Sequence, residues 1–286
     1  MKNKVSIVIP VFKNIHFLNR SLYSAANQTY KNIEILIVND GNSKNDKKEI
    51  YRIIKRFKKK NIKIINIKKN NGVSNALNEG VKKSSGEYIS WLSHDDYFDL
   101  KKTELQIEFL HKKKAKICSC DFVEINKFKK LKINRILDQN YFDDQILSII
   151  LNDSMHGCSL LINKKCFNDF SFNKKYKHIQ DYDLWYRMSE KYQFVHLNKK
   201  LLFSIKHSNQ TSYLKRDESI KEKLNFYTEL INKKLVMYDY KKISYILKFI
   251  YRSLFMYKSL FLSFSVLHKF LFYWGNNFIT LYFNKK

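Results

Sequence analysis

Apolar residues in the first third of the chain come in short β-branched runs, each followed by a segment with helical spacing. The run VSIVIP (5–10) suits a strand buried on both faces, IEILIVND (33–40) reads as a second buried strand, and IKIINI (62–67) and EYISWL (87–92) as a third and a fourth strand. Between them, residues 14–27 set Ile15, Leu18, Leu22 and Ala25 on one helical face, behind a candidate N-cap at Asn14. Residues 46–60 put Ile50, Ile53, Ile54 and Phe57 on one side of an amphipathic helix. Residues 72–86 read as a third helix, with Ser74 and Asn75 near its start and Gly86 past its end. The alternation β-α-β-α-β-α-β predicts a parallel sheet with helices on both faces.

The pattern then loosens. It predicts a helix over 101–113, a strand over 115–125, a helix over 141–151 and a short strand over 157–163. An acid-led helix over 180–192 follows, and then strand, turn and strand over 194–207. Segments 217–235 and 241–284 are helical in pattern, lysine-rich and dense in Phe, Tyr and Leu. This places one unit at 1–212 and a helical, basic and aromatic region at 213–286. Lys248, Arg252, Lys258 and Lys269 interrupt the apolar tail, so no run approaches the roughly 18 residues of a spanning helix. Helices lying on anionic lipid, a packed subdomain and an oligomer contact all fit that pattern.

Composition narrows the partners. The chain carries 54 basic and 26 acidic side chains, a formal charge of +28. Such a charge attracts anionic lipid, phosphorylated ligands or nucleic acid, although a lysine-rich background alone produces the same excess. Seven arginines and no recognisable nucleic-acid motif argue against nucleic acid. Cys118, Cys120, Cys158 and Cys166 form no CxxC pair, which points to a reducing compartment. The N-terminal apolar run is cut short by Pro10 and Lys13 and has no small-residue cleavage site, so it reads as a strand and not a signal peptide.

The chemistry-bearing residues stand after the strands, where ligands bind in open parallel sheets. They are Asn39-Asp40-Gly41, Asn70-Asn71-Gly72 and the stretch Ser93 to Asp96. Asp95 and Asp96 are like charges side by side; a hard divalent cation offsets their repulsion, or Asp96 or Asp99 caps the next helix. Asp40 can accept hydrogen bonds from a base or ribose, or simply serve an Asp-Gly turn. Asp181 can act as a general base or as a helix cap favoured by the positive helix end, with Asp183 as a capping or anchoring partner. His207 can contact a diphosphate or cation, or be structural.

Taken in order, VSIVIPVF, IEILIVNDGN, NNGVSNALNEGVKKSSGEYISWLSHDD, HGCSLLINKKCF and QDYDLWYRM resemble the family 2 glycosyltransferases, bacterial enzymes of surface-polysaccharide synthesis among them. The resemblance implies a GT-A fold, an α/β architecture with a mainly parallel central sheet, flanking helices and here a helical C-terminal extension. It implies sugar transfer with inversion, from a nucleotide-sugar donor (UDP by default, GDP or dTDP otherwise) to a saccharide or lipid-linked saccharide, at the cytoplasmic face of the cell membrane. It places Pro10, Val11 and Phe12 beside the nucleotide, Asp40 on its base, and Asn71 and Gly72 along the donor. Ser93-His94-Asp95 falls on the family's Asp-x-Asp motif, whose last acid holds Mn²⁺ or Mg²⁺ together with the donor's ribose and diphosphate. Asp181 falls on the catalytic base and His207 on a histidine near the diphosphate. Two positions depart from the pattern. Ser93 replaces the first acid of the motif, where Asp96 can compensate as a metal ligand, and Gln180 replaces an acid before Asp181. A nucleotidyltransferase fits less well, because VFKNIHF is not a Gly-rich phosphate loop. Ser93 keeps open a non-catalytic, donor-binding partner protein.

Overall fold

The computed structural model describes residues 3–57, 60–125, 130–131, 155–210 and 214–235. The chain divides into two compact units, Met1–Leu214 and Lys215–Lys286. The expected helix over 141–151 and the segment 241–284 lie outside the described residues.

The first unit opens with β1 (Val5–Val11), α1 (Leu18–Ala26), β2 (Ile33–Asp40), α2 (Lys44–Lys55), β3 (Ile62–Ile67), α3 (Val73–Lys83) and β4 (Tyr88–Trp91). It continues with β5 (Tyr97–Phe98), α4 (Lys102–Lys113), β6 (Ile117–Ile125), β7 (Lys130–Leu131), β8 (Leu161–Asn163), α5 (Gln180–Ser189) and β9 (Phe194–Ile205). The strands form one sheet in the order β3-β2-β1-β4-β8-β6-β9-β5, with β7 beside β6. β1 to β4 are mutually parallel. Beyond them β8 runs antiparallel to both β4 and β6, while β6 and β9 are parallel. The expected α/β architecture, a mostly parallel sheet flanked by helices, is therefore present.

The order 3-2-1-4 matters for function. The chain steps from β1 to β2 and β3 on one side and then crosses back from β3 to β4 on the other, so a crevice opens between the carboxyl ends of β1 and β4. β1 and its neighbour β2 are rigid because they are sealed on both faces: Ile7, Val8, Ile9, Val11, Leu36, Ile37 and Val38 are fully buried. Their alternating neighbours have no solvent face, which is why the sequence shows continuous apolar runs.

Four local expectations are corrected. Asn14 makes no side-chain cap; it sits in the left-handed region (φ 47°) and leads into a single 3-10 turn, Ile15–Phe17, before α1 starts. Residues 157–163 are not all strand: Gly157–Ser159 form a 3-10 turn and β8 begins at Leu161. The stretch after Gln193 is one strand, not two. Asn198 and Lys199, which read as a turn, bulge outward and exposed, and the pairing to β6 slips on either side of Asp121. Finally, Asp96 does not cap α4; Asp99 does part of that work, accepting from the Lys101 N–H through Oδ1.

One buried charge was not anticipated. Glu34, on β2, is fully buried. It accepts from Ser6 Oγ at 2.6 Å, Ser85 N at 2.5 Å and Ser85 Oγ at 2.9 Å, and pairs with Lys63 at 3.0 Å and Lys4 at 3.2 Å. Burial alone would raise its pKa, but the bonds from Ser6, Ser85 and Lys63 outweigh burial and hold it well below the usual carboxylate range. A lowered folded-state pKa means that the unfolded chain takes up the proton first as pH falls. The stabilisation is complete above the ordinary glutamate value of about 4.3 and is lost as pH drops below it. Glu34→Gln is expected to cost about 2–4 kcal/mol at pH 7, because it strands donors arranged for an anion, and less at pH 3, where only the unfolded chain has taken up the proton. Urea unfolding at the two pH values checks this; an equal cost at both would refute it.

In the second unit the described helix is α6 (Arg216–Leu235). Leu224, Phe226 and Leu230 on it are buried, and Asp217 and Glu218 stand in its first turn, favoured there by the helix dipole. Among the described residues, no helix is long and apolar enough to cross a membrane.

Candidate active site at the carboxyl edge of the sheet

β1 ends on Pro10 and Val11, followed by Phe12. Phe12 is exposed, while Val11 is sealed in the core, so Val11 supports the edge and does not present its side chain to a ligand. The backbone after β1 is unusual: Lys13 and Asn14 both have positive φ. Asn42 holds this bend, taking the Lys13 N–H on Oδ1 at 2.7 Å and donating Nδ2 to the Val11 carbonyl at 2.7 Å.

β2 ends on Asp40, and Gly41 (φ 71°) makes the turn that a residue with a side chain could not. A Cβ there would overlap the Asn70 backbone. The tight turn brings the β3–α3 loop onto Asp40, whose Oδ1 accepts from the Asn71 N–H at 3.3 Å. Burial raises the Asp40 pKa, opposed by the Asn71 and Gly72 amides. Asp40, Asn71 and Gly72 thus form one group.

The loop after β4 separates its two acids. The Asp95 carboxylate faces His207, with Oδ2 and Nε2 3.1 Å apart, and the His207 ring stacks on Phe17 at 4.4 Å between centroids. Arg20 fixes the loop by donating to the Asp95 carbonyl at 2.6 Å. Asp96 turns the other way. It is buried, accepts the Ile205 N–H at 3.0 Å and lies 3.6 Å from His156 Nε2. Burial first, and then the neighbouring Asp95 charge, push its carboxyl pKa well upward. Asp96 is therefore committed to β9 and does not join Asp95 and His207. The two acids face apart, and the repulsion that remains raises the Asp96 pKa.

Adjacent ligands of an octahedral ion with bonds of about 2.1 Å lie about 3 Å apart. The Asp95–His207 separation fits that spacing, with an O and N donor set suited to Mn²⁺. A second candidate metal-coordinating cluster consists of Asp96, His156 and Cys158, with ligand atoms within 4.8 Å of one another. Its present bonding is different. His156 Nδ1 accepts the Cys158 N–H at 3.2 Å, which leaves the ring proton on Nε2, toward Asp96. Burial, and then Asp96, push the Cys158 thiol up, so the sulfur is protonated.

His94 lies on the crevice side of the same loop. Its ring bonds to the Pro10 carbonyl, while Nε2 is buried without a hydrogen-bond partner. Burial pushes its pKa down, so the ring is neutral and Nε2 is a ready acceptor. Ser93 is held through its N–H, which donates to Cys158 Sγ at 3.2 Å.

Asp181 is in the first turn of α5. The cap position belongs to Ile179, so the capping reading of Asp181 does not hold. Its Oδ1 accepts from the Tyr182 N–H at 3.0 Å, and its Oδ2 lies beside Gly157, whose other near side chain is the Trp91 indole at the end of β4. Asp183 anchors the helix instead, paired with Arg187 at 2.6 Å. The segment leading to α5 is tied to α3: Ser74 Oγ donates to the Asn173 and Tyr176 carbonyls, and Asn78 exchanges two bonds with Phe172.

Asp40, Asp95 with His207, and Asp181 therefore line one edge of the sheet, at the ends of β2 and β4. Sequence reasoning missed Gly157, Cys158, Trp91, Phe17 and Arg20. A signal for Gly157 existed: the chain has only six glycines, and Gly41, Gly72 and Gly157 all stand at this edge.

Comparison with known proteins identifies the family. The glycosyl transferase family 2 profile matches residues 6–170. An uncharacterized glycosyltransferase of Rickettsia conorii is 37% identical over 216 residues, covering 73% of this chain and 35% of that protein. Chondroitin synthase of Pasteurella multocida is 28% identical over 237 residues, 81% of this chain and 24% of that one. The chain thus spans about a third or less of the length of these two relatives. Among solved structures, S. aureus TarS 1-349 in complex with UDP-GlcNAc superposes with a TM-score of 0.62 at 16% identity, covering 88% of this chain and 72% of that one. The mannosyltransferase PcManGT from Pyrobaculum calidifontis, in complex with GDP-Man and Mn²⁺, gives 0.64 at 11% identity, covering 94% and 75%. These likenesses establish a GT-A-like fold, and the chain belongs to glycosyl transferase family 2.

Proposed function

We propose that the chain transfers a sugar from a nucleotide-sugar donor, a UDP-sugar first among them, to a saccharide or lipid-linked saccharide acceptor during bacterial surface-polysaccharide synthesis. The carrying observation is the alignment of Asp40, the Asp95–His207 pair and Asp181 along one carboxyl edge at the switch point of the sheet. Family membership and the polysaccharide synthases among the relatives support the same reading.

In this reading Asp40, with the Asn71 and Gly72 amides, receives the base. Pro10 and Phe12 border it. His94 Nε2, a buried acceptor with no donor of its own, takes a ribose hydroxyl, the task left by Ser93 in place of an acid. Asp95 and His207 would hold Mn²⁺ or Mg²⁺, which supplies charge stabilisation to the leaving diphosphate. Asp181 takes the proton from the acceptor hydroxyl as it attacks the sugar. One base and one displacement invert the anomeric centre, and no covalent enzyme intermediate is needed. Incubation with a panel of UDP-, GDP- and dTDP-sugars, read by released nucleotide with Mn²⁺, tests the proposal. Release from none of them, with a surface-glycan acceptor extract present, would defeat it.

The basic, aromatic C-terminal region is proposed to hold the protein on the anionic, cytoplasmic face of the membrane. Lys248, Arg252, Lys258 and Lys269 interleave with Phe, Tyr and Leu there, and each basic residue near such a surface adds about 1 kcal/mol. The full chain is expected to sediment with phosphatidylglycerol vesicles and to be released at high salt. Replacing these four residues by glutamine should weaken binding at least tenfold; undiminished binding would exclude this contact.

A further inference from the structure

Gly157 lies in the 3-10 turn before β8 and does not have the positive φ that would require glycine. Its backbone suits any residue, so the reason for glycine is space. A Cβ at this position would lie 2.8 Å from Asp181 Oδ2, 3.1 Å from Trp91 Cζ2 and 3.2 Å from Trp91 Nε1. All three nearest atoms belong to two side chains, and one of these is the carboxylate placed at the reaction centre.

We infer that Gly157 is a positioning residue: the room left by its missing side chain lies beside both the Asp181 carboxylate and the Trp91 indole, and keeps the carboxylate in place. The argument turns on which contact yields. Trp91 is buried at the end of β4 and packs edge-on against Phe172 with centroids 5.2 Å apart, so it resists displacement in a dense interior. The Gly157 backbone is held between its neighbours: the Ser159 N–H donates to the His156 carbonyl at 2.9 Å and the Cys158 N–H to His156 Nδ1. The nearest contact is the far end of the Asp181 side chain, so its carboxylate is the group that shifts. An added methyl group at 157 therefore leaves the fold intact and moves the carboxylate. Folding barely registers the change, while catalysis does, because a displacement of about 1 Å at a reacting group costs on the order of 100-fold in rate.

The inference rests on Asp181 as the base, and the test separates the two. Gly157→Ala is expected to lower kcat at least tenfold, with the donor identified by the nucleotide-release panel. UDP–Mn²⁺ affinity and the urea midpoint should stay at parental values. A crystal structure of the variant should show the Asp181 carboxylate shifted from its place beside residue 157. In a Trp91→Phe background, where a smaller ring faces the new methyl, the kcat loss caused by Gly157→Ala should be smaller than in the parent protein. Parental kcat in Gly157→Ala, or an unmoved carboxylate, overturns the positioning role while an inactive Asp181→Asn leaves the base in place. An active Asp181→Asn instead removes the base itself, whatever Gly157→Ala does.

Discussion

Asp181→Asn should bind UDP with Mn²⁺ within about twofold of the parent protein and transfer sugar roughly 10²–10⁴ times more slowly, the usual range for a lost general base. The substitution is nearly isosteric. An asparagine Oδ1 can still accept the Tyr182 N–H that Asp181 Oδ1 accepts at 3.0 Å. Ile179, not Asp181, occupies the cap position, so α5 does not depend on the charge for its start. The Arg187–Asp183 pair and the bonds of Ser74 and Asn78 to the preceding segment are untouched. What disappears is the ability to take a proton. Single-turnover transfer beside calorimetric UDP binding separates the two quantities. Turnover near the parental rate would remove Asp181 from the mechanism. A parallel loss of UDP binding would assign it to the donor pocket.

Asp95→Ala is expected to weaken Mn²⁺-dependent UDP binding roughly 10–100-fold, about 1.4–2.8 kcal/mol, while metal-free binding changes little. The Asp95 carboxylate and His207 are 3.1 Å apart, and removing one leaves too few protein ligands to anchor an ion beside a diphosphate. The other candidate cluster gives the opposite pattern. If Asp96, His156 and Cys158 seat the ion, Asp95→Ala keeps its Mn²⁺ response and Cys158→Ser loses it. Calorimetry with UDP, with and without Mn²⁺, decides between the two seats.

The strands and helices of the first hundred residues were legible because their periods are clean. A strand sealed on both faces has no polar alternation, and β1 and β2 show none. The misread places share one cause: a local signal outweighed by a contact far away in sequence. Asn198 and Lys199 have turn chemistry, but pairing with β6 carries the chain straight through them as a bulge. Asn14 has cap chemistry, but the bend held by Asn42 sets its φ positive. Lys102 carries no sequence signal of burial, yet it is buried, with its ammonium 4.2 Å from the Phe98 ring centroid and 3.3 Å from Ser90 Oγ.

The candidate site divides the same way. The sequence by itself determined the architecture, the family, and which acids stand at strand ends, because burial patterns and chain order are properties of the one-dimensional string. It could not say which way two adjacent carboxylates face. Only the tertiary structure decided that Asp95 meets His207 while Asp96 meets Ile205, and that Gly157 lies beneath Asp181. Those choices are made by pairing between residues up to 112 positions apart, and such pairing exists only once the sheet has brought the strand ends together.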